Sequence, residues 1–114
     1  MPDTDRSRIA PRPTPAVPDL DPVVHQRVRL GILSALAAGG TTSFTDLKTV
    51  LDLTDGNLSV HARKLEEAGY LEVRKTVSDR TPLTEYALTA AGREALADYL
   101  DQMEAIIQSA RPGT

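Results

Sequence analysis

The sequence predicts a mainly α fold with one small β-hairpin, which places the chain in the α+β class. Apolar residues recur every three or four positions in four segments, as they do on the buried face of a helix. In two short runs, around residues 71–74 and 84–88, apolar and polar residues alternate, which is the pattern of a half-buried strand. The chain has 114 residues, of which 40% are hydrophobic, so we expect one domain with a single core.

Prolines separate an amino-terminal arm from this domain. Six of the eight prolines lie within the first 22 residues, where they are incompatible with a regular helix or with the interior of a sheet. We therefore expect a proline-rich arm over residues 1–21 and a folded domain over residues 22–110.

Composition limits the compartment and the chemistry. The chain has no stretch of roughly 18 apolar residues, and its start lacks the apolar segment of a secretory signal, so we expect a cytoplasmic protein that does not contact a membrane. The sequence contains no cysteine, which excludes disulfide bonds and thiolate metal sites.

Charge restricts where a nucleic acid could bind. The net charge is -3 and the isoelectric point is near 5.3, which argues against a protein that coats nucleic acid through its overall field. Residues 85–108 carry five acidic residues and one basic residue, so this segment is not expected to touch phosphates. Any nucleic-acid site must therefore be local.

Two helices are predicted in the first half of the domain. Asp21 and Pro22 form a plausible helix start, and helical apolar spacing predicts the first helix over residues 22–38. Gly39 and Gly40 end it, and the stretch TTSF is a short extended stub before a second helix near residues 45–52.

The stretch LTDGNLSVHARKLEEAGYLEV, residues 53–73, has well-marked helix ends. Thr54 is suited to cap the first turn of a third helix, and Gly69 occupies the position of a left-handed cap at its end. Leu58, Ala62 and Leu65 are spaced to share one buried face. Gly56, a poor helix former, lies in the first turn.

The carboxyl-terminal part predicts a hairpin and a long last helix. Tyr86 and Leu88 point inward from the second strand, and the polar connection SDRTP forms an exposed tip. Thr89 caps the last helix, whose apolar stripe is broad for so small a protein. The stripe can simply close over the first helix, but we favour a homodimer through the first and last helices. The predicted interface comprises Val24, Val28, Leu96, Tyr99, Leu100, Met103, Ile106 and Ile107.

The order helix, stub, helix, helix, hairpin, helix is that of a winged helix-turn-helix. In DNA-binding versions the amino terminus of the third helix approaches the duplex, where its amides and dipole face phosphates. A glycine at position 56 would permit a close backbone approach. The alternative is a tolerated glycine that costs roughly 0.5 to 1 kcal/mol relative to alanine.

The segment LTDGNLSVHARKLEEAGYLEVRK, followed by LTAAGREAL, resembles the small winged-helix transcriptional regulators related to the MarR and ArsR families. The resemblance covers roughly residues 24–107 and implies a homodimer that binds double-stranded DNA with the third helix in the major groove. Ser59 and His61 match the serine and histidine of the ArsR-like recognition helix, and Arg80 matches a basic residue at the wing tip. Thr81 and Leu83 occupy positions that are frequently basic in related wings, which implies that this wing binds phosphate more weakly.

On the third helix the stripe of Asn57, His61 and Lys64 is the predicted base-reading surface, and Asn57 is suited to bond an adenine edge. Lysine and arginine contacts to phosphate would position the protein without reading sequence. For each residue an ordinary solvated surface position is the alternative. The predicted DNA-binding set comprises Thr54, Gly56, Asn57, Ser59, Val60, His61, Arg63, Lys64, Arg74, Lys75 and Arg80.

No residue set predicts catalysis, a metal or a cofactor. Ser59 and His61 are too close in sequence to face each other on a helix, and a metal at His61 would have only His25 as a further imidazole ligand. No diagnostic set of ligands identifies a small-molecule effector. We expect a sequence-specific regulator, acting as a repressor, that occupies an inverted-repeat operator as a homodimer. The alternative is a winged-helix protein-interaction module without DNA binding, which the acidic charge, the reduced wing and the proline-rich arm would suit.

Overall fold

The computed structural model describes residues 19–111, and within this range the chain forms four helices and a three-stranded sheet. The helices are α1 (Arg27–Gly39), α2 (Phe44–Leu51), α3 (Asp55–Glu67) and α4 (Ala90–Ala110). The strands are β1 (Thr42–Ser43), β2 (Leu71–Ser78) and β3 (Thr81–Leu88), arranged antiparallel in the order β1-β3-β2. The predicted α+β class is confirmed. Most of the predicted arm, residues 1–18, lies outside the described residues.

Local capping contacts set the ends of the helices. The Thr54 side chain accepts a hydrogen bond from the Asn57 amide at 3.1 Å, and Thr89 accepts one from the Gly92 amide at 3.0 Å, as the sequence predicts. Gly69 has a φ of 84°, and the following Tyr70 amide donates to the Leu65 carbonyl at 2.9 Å, which closes α3.

The first helix starts later than predicted. Asp21 does cap a turn, because its Oδ1 accepts from the Val23 amide at 2.8 Å, but this turn does not continue as a helix. Gln26 is extended, with φ -158° and ψ 134°, and its side chain accepts from the Arg29 amide at 2.8 Å. The predicted start at residue 22 is therefore wrong, because a second cap at Gln26 begins the helix at Arg27.

The core surrounds α1, which contacts α2, α3, α4 and β3. Helix α3 contributes Leu58, Ala62 and Leu65 to this core, so the opposite side of α3 remains at the surface. The buried side chains of the described chain are Val24, Val28, Ile32, Leu33, Leu36, Leu47, Leu58, Ala62, Leu65, Leu71, Tyr86, Leu96 and Tyr99.

The stub between the first two helices is the third strand of the sheet. Thr42 pairs with Tyr86 and Ser43 pairs with Glu85, which fixes the hairpin to the start of α2. The sequence predicts the extended stub but not its pairing, because a two-residue strand is too short to show a period.

A contact between the amino-terminal turn and the end of α3 holds the start of the described chain. The Tyr70 hydroxyl donates a hydrogen bond to Asp21 Oδ2. This hydrogen bond, then burial and the charge of Asp21, raise the pKa of Tyr70 to about 12 from its ordinary value of 10.0. The folded protein therefore holds Tyr70 protonated at pH values where an unfolded chain ionises it.

We expect this contact to make stability fall at alkaline pH. Its contribution is complete below pH 10 and is lost as the pH rises toward 12, because ionisation of Tyr70 then favours the unfolded chain. Replacing Tyr70 by phenylalanine should flatten the fall in unfolding free energy across this window, measured by urea unfolding at several pH values. Tyr86 is the internal reference, because burial and Glu66 raise its pKa in both proteins. Equal slopes in the two proteins would contradict the expectation.

Candidate nucleic-acid interface

The first turn of α3 is open to solvent. Gly56 is exposed, and a Cβ added there would meet no atom within 4 Å. The Thr54 hydroxyl accepts a hydrogen bond from one amide of this turn, that of Asn57. The amides of a helix's first turn have no acceptor within the helix itself. The carboxylate of Asp55 is paired with Lys48 from α2, with 2.8 Å between Oδ1 and Nζ. This ion pair reduces the repulsion that Asp55 would otherwise exert on a phosphate.

The outer face of α3 combines polar, basic and apolar side chains. Asn57, Ser59, Arg63 and Lys64 are all exposed, and Val60 among them is 54% exposed. Because the neighbouring residues of the helix are polar or charged, Val60 is a single apolar contact point. Such a side chain suits the methyl group of thymine in the major groove.

His61 lies at the edge of this face and is half-buried. Its Nδ1 is 3.1 Å from Nη1 of Arg29 on α1. Burial, then the positive charges of Arg29 and Lys64, hold the pKa of His61 below its ordinary value of 6.5. The neutral form of the ring is therefore favoured at pH 7. His61 is partly buried, whereas Asn57 and Lys64, the other members of the predicted stripe, are exposed.

The hairpin, or wing, has a two-residue turn without glycine. Asp79 and Arg80 have φ values of 51° and 66°, the combination of a type I′ turn, so Arg80 lies at the tip. Arg74 and Lys75 are neighbours in β2 and therefore point to opposite faces of the sheet.

Only part of the predicted basic surface of the wing is free of acidic neighbours. Arg74 is paired with Glu72, at 3.4 Å between Nε and Oε2, and stands opposite Glu85 in the register. Lys75 stands opposite Thr84 on the other face. The structure thus separates the wing cations that the sequence grouped, and Lys75 and Arg80 are the better candidates for phosphate contacts.

The predicted dimer residues fall into two groups. Val24, Val28, Leu96 and Tyr99 are buried in the core of the chain itself, and the Tyr99 hydroxyl lies 2.8 Å from Nδ1 of His25.

The second group lies further along α4. Leu100 and Ile107 are 49% and 43% exposed, and Met103 and Ile106 are partly exposed.

Within residues 19–111, no helix is long and apolar enough to cross a bilayer.

Sequence reasoning missed two basic residues beside the site, Arg29 and Lys48. Each acts on α3 from another helix, Arg29 through His61 and Lys48 through Asp55. Neither position shows a periodic or motif signal in the sequence, because the residue it contacts lies on another helix.

The arrangement of an open helix tip, an exposed outer face and an adjacent hairpin agrees with a family match. A model described as a winged helix DNA-binding domain covers residues 28–107. The chain belongs to the winged helix DNA-binding domain family. The predicted resemblance to small winged helix-turn-helix regulators is confirmed.

Two further comparisons found proteins similar to this winged helix chain. An uncharacterised protein of Methanocaldococcus jannaschii is 41% identical over 78 residues, which are 68% of this chain and 85% of the relative. The structure of a transcriptional regulator homologue from Pyrococcus horikoshii OT3 has 36% identity and a TM-score of 0.73, over 76% of this chain and 86% of that chain.

A more distant structure shares the fold. BpsR of Bordetella bronchiseptica, whose DNA binding is regulated by 6-hydroxynicotinic acid, has 22% identity and a TM-score of 0.65, over 86% of this chain and 71% of its own. The family and the Pyrococcus horikoshii neighbour together support a DNA-binding regulator.

Proposed function

We propose that this winged helix protein represses transcription by occupying a specific duplex DNA sequence as a homodimer. The observation that carries the proposal is the exposed outer face of α3 beside an open first turn, in a chain whose family binds DNA. A protein seated across a promoter excludes other proteins from the same DNA surface, which requires no further activity of the chain.

In this proposal α3 lies in the major groove with its amino-terminal half nearest the bases. The Asn57 amide bonds the edge of an adenine, Ser59 bonds a base or a phosphate, and Val60 contacts a thymine methyl. Arg63, Lys64 and the wing cations bind phosphates and hold the protein in register.

The second apolar group of α4 supports the proposed homodimer. A monomer would leave Leu100 and Ile107 exposed in water, whereas a second copy related by a two-fold axis would cover them. Two copies of α3 would then enter successive major grooves. The operator would be an inverted repeat with half-sites about 10 base pairs apart.

The first experiment is selection of bound duplexes from a random library, followed by gel-shift titration of the enriched sequence. Enrichment of an inverted repeat supports the proposal. If the folded protein enriches no sequence from the library, the result would contradict the proposal and favour a winged helix that binds proteins. Repression itself is tested by placing the enriched sequence over a promoter and measuring reporter transcript with and without the protein.

Substitutions on α3 and on the wing should have different effects on that duplex. Replacing Asn57 by alanine should weaken binding by about 1 to 3 kcal/mol and relax the base preference at one position. Replacing Lys75 or Arg80 by alanine should lower affinity evenly across sequences and reduce the slope of log affinity against log salt by about 1. Gel shifts at several salt concentrations on matched and mismatched duplexes measure both quantities.

Arg74 supplies a matched control for the wing. It is adjacent to Lys75, but Glu72 already neutralises it and it points to the opposite face. Replacing Arg74 by alanine should therefore change the salt slope less than replacing Lys75. Equal effects of the two variants would contradict this division of the wing, and uniform loss across all variants would contradict the separation of base and phosphate contacts.

A further inference from the structure

Arg29 is fixed at the amino-terminal end of α1 by the turn that precedes the helix. Its Nε donates to the Val23 carbonyl at 2.6 Å, and its Nη2 donates to the Pro22 carbonyl at 3.4 Å. Its backbone amide is bonded to Gln26 at 2.8 Å. These contacts hold the guanidinium in one place, so the position of its remaining nitrogen is defined by the fold.

That remaining nitrogen, Nη1, lies 3.1 Å from Nδ1 of His61 on α3. A guanidinium donates hydrogen bonds and cannot accept them, so Nδ1 of His61 must be the acceptor. In a neutral imidazole whose Nδ1 accepts, the proton is on Nε2. Burial and the nearby charges of Arg29 and Lys64 favour this neutral form.

We propose that Arg29 is a positioning residue that makes His61 a hydrogen-bond donor toward DNA. This inference rests on the proposed function, because it requires α3 to lie against a duplex. With Nδ1 engaged by Arg29, His61 presents only the Nε2 proton, so its partner must be an acceptor of the duplex: a purine N7, guanine O6, thymine O4 or a phosphate oxygen. An amino group of adenine or cytosine would find no acceptor on this ring, so the contact discriminates as well as binds.

The geometry also explains why an arginine occupies position 29. One guanidinium reaches two carbonyls and an imidazole through three different nitrogens. A lysine keeps the positive charge, but its single nitrogen has no fork with which to bridge the turn and the ring. Charge and geometry can therefore be separated by substitution.

The first test observes the tautomer of His61 in the free protein by long-range proton–nitrogen NMR at neutral pH. In the unmodified protein the proton should be on Nε2 alone. In Arg29→Met and Arg29→Lys the two tautomers should be mixed, while Arg27→Met, which alters an exposed arginine of the same turn, should leave the spectrum unchanged. His61→Gln assigns the signals, because the protein has only one other histidine, His25.

A proton on Nδ1 in the unmodified protein would overturn the positioning role. The same tautomer in the unmodified protein and in both Arg29 variants would also overturn it. Arg29→Lys keeps the charge and serves if Arg29→Met fails to fold, which circular dichroism detects. This test needs no DNA, so the tautomer of His61 can be determined even if no duplex is selected from the library. A failure to select a duplex would count against the proposed function and not against the contact between Arg29 and His61.

The second test is a double-mutant cycle on the selected duplex. Arg29→Met should lower affinity about two- to fivefold when His61 is present, because the freed ring must then be fixed in one tautomer and one orientation on binding. The loss should be smaller in a His61→Ala background. A loss of the same size in both backgrounds would show that Arg29 acts on DNA affinity independently of His61 and would overturn the proposal.

The acceptor is identified with modified duplexes. 7-Deazapurines remove N7, 2-aminopurine removes guanine O6, and 5-methyl-2-pyrimidinone removes thymine O4. Methylphosphonate linkages remove the charge and one non-bridging oxygen of a phosphate. Loss of the His61-dependent part of the affinity on one series supports the donor role and identifies the acceptor. Retention of the His61-dependent part on every series would contradict the donor role.

Discussion

Replacing Gly92 by alanine is expected to lower the free energy of unfolding by about 3 kcal/mol, the upper end of the usual cost of overpacking a core. A Cβ at this position would lie 2.2 Å from the Tyr70 carbonyl oxygen and 2.9 Å from its carbon. Both atoms belong to the backbone, so no side chain can rotate to make room. Urea unfolding followed by circular dichroism measures the loss.

The cost is high because Gly92 lies where three elements meet. The Tyr70 carbonyl accepts a hydrogen bond from the Thr89 amide at 3.1 Å, and the Thr89 hydroxyl donates to the Gly69 carbonyl at 2.6 Å. Moving Tyr70 away from a new methyl group would therefore strain the end of α3, the start of β2 and the cap of α4 together.

The same substitution at Gly56 is the matched control and should have the opposite sign. Nothing lies within 4 Å of a Cβ there, and alanine is the better helix former, so stability should rise by about 0.5 to 1 kcal/mol. If the open first turn of α3 approaches DNA, however, the added methyl group should weaken duplex binding while the protein becomes more stable. Parallel changes in stability at both glycines would contradict the structure.

The elements that could be predicted from the sequence are those with signals within a few residues. Thr54, Thr89 and Gly69 are caps whose partners lie in the adjacent turn, so residue type and spacing suffice to find them. At Asp21 the local signal is misleading. Asp21 caps a turn, but the helix begins only after a second cap at Gln26.

The contacts that could not be predicted join residues far apart in the chain. Arg29 and His61, or Lys48 and Asp55, meet only because α1 and α2 pack beside α3. Periodicity has a related limit, because it shows which residues share a face of a helix and not what covers that face. Leu96 and Leu100 belong to one apolar stripe in the sequence, yet the first is 5% exposed and the second 49% exposed.

The exposed part of that stripe gives the second large expected effect. Replacing Leu100 and Ile107 by glutamate should convert a homodimer into single chains, because each charge would be buried in the proposed interface without a partner. Light scattering at micromolar concentration should give twice the 12.3 kDa chain mass for the unmodified protein and the chain mass for the double variant. The affinity for an inverted repeat should fall at least about 100-fold, because the second half-site no longer adds to the first.

Leu100, Met103 and Ile107 are spaced by three and four residues, so they follow one side of a helix that is about 32 Å long, and two such sides can pack around a two-fold axis. Val50 on α2 is 70% exposed and therefore controls for the loss of a surface apolar group. Val50→Glu should leave the mass unchanged. Unmodified protein that scatters as a single chain, or a double variant that stays paired, would exclude this face as the dimer interface.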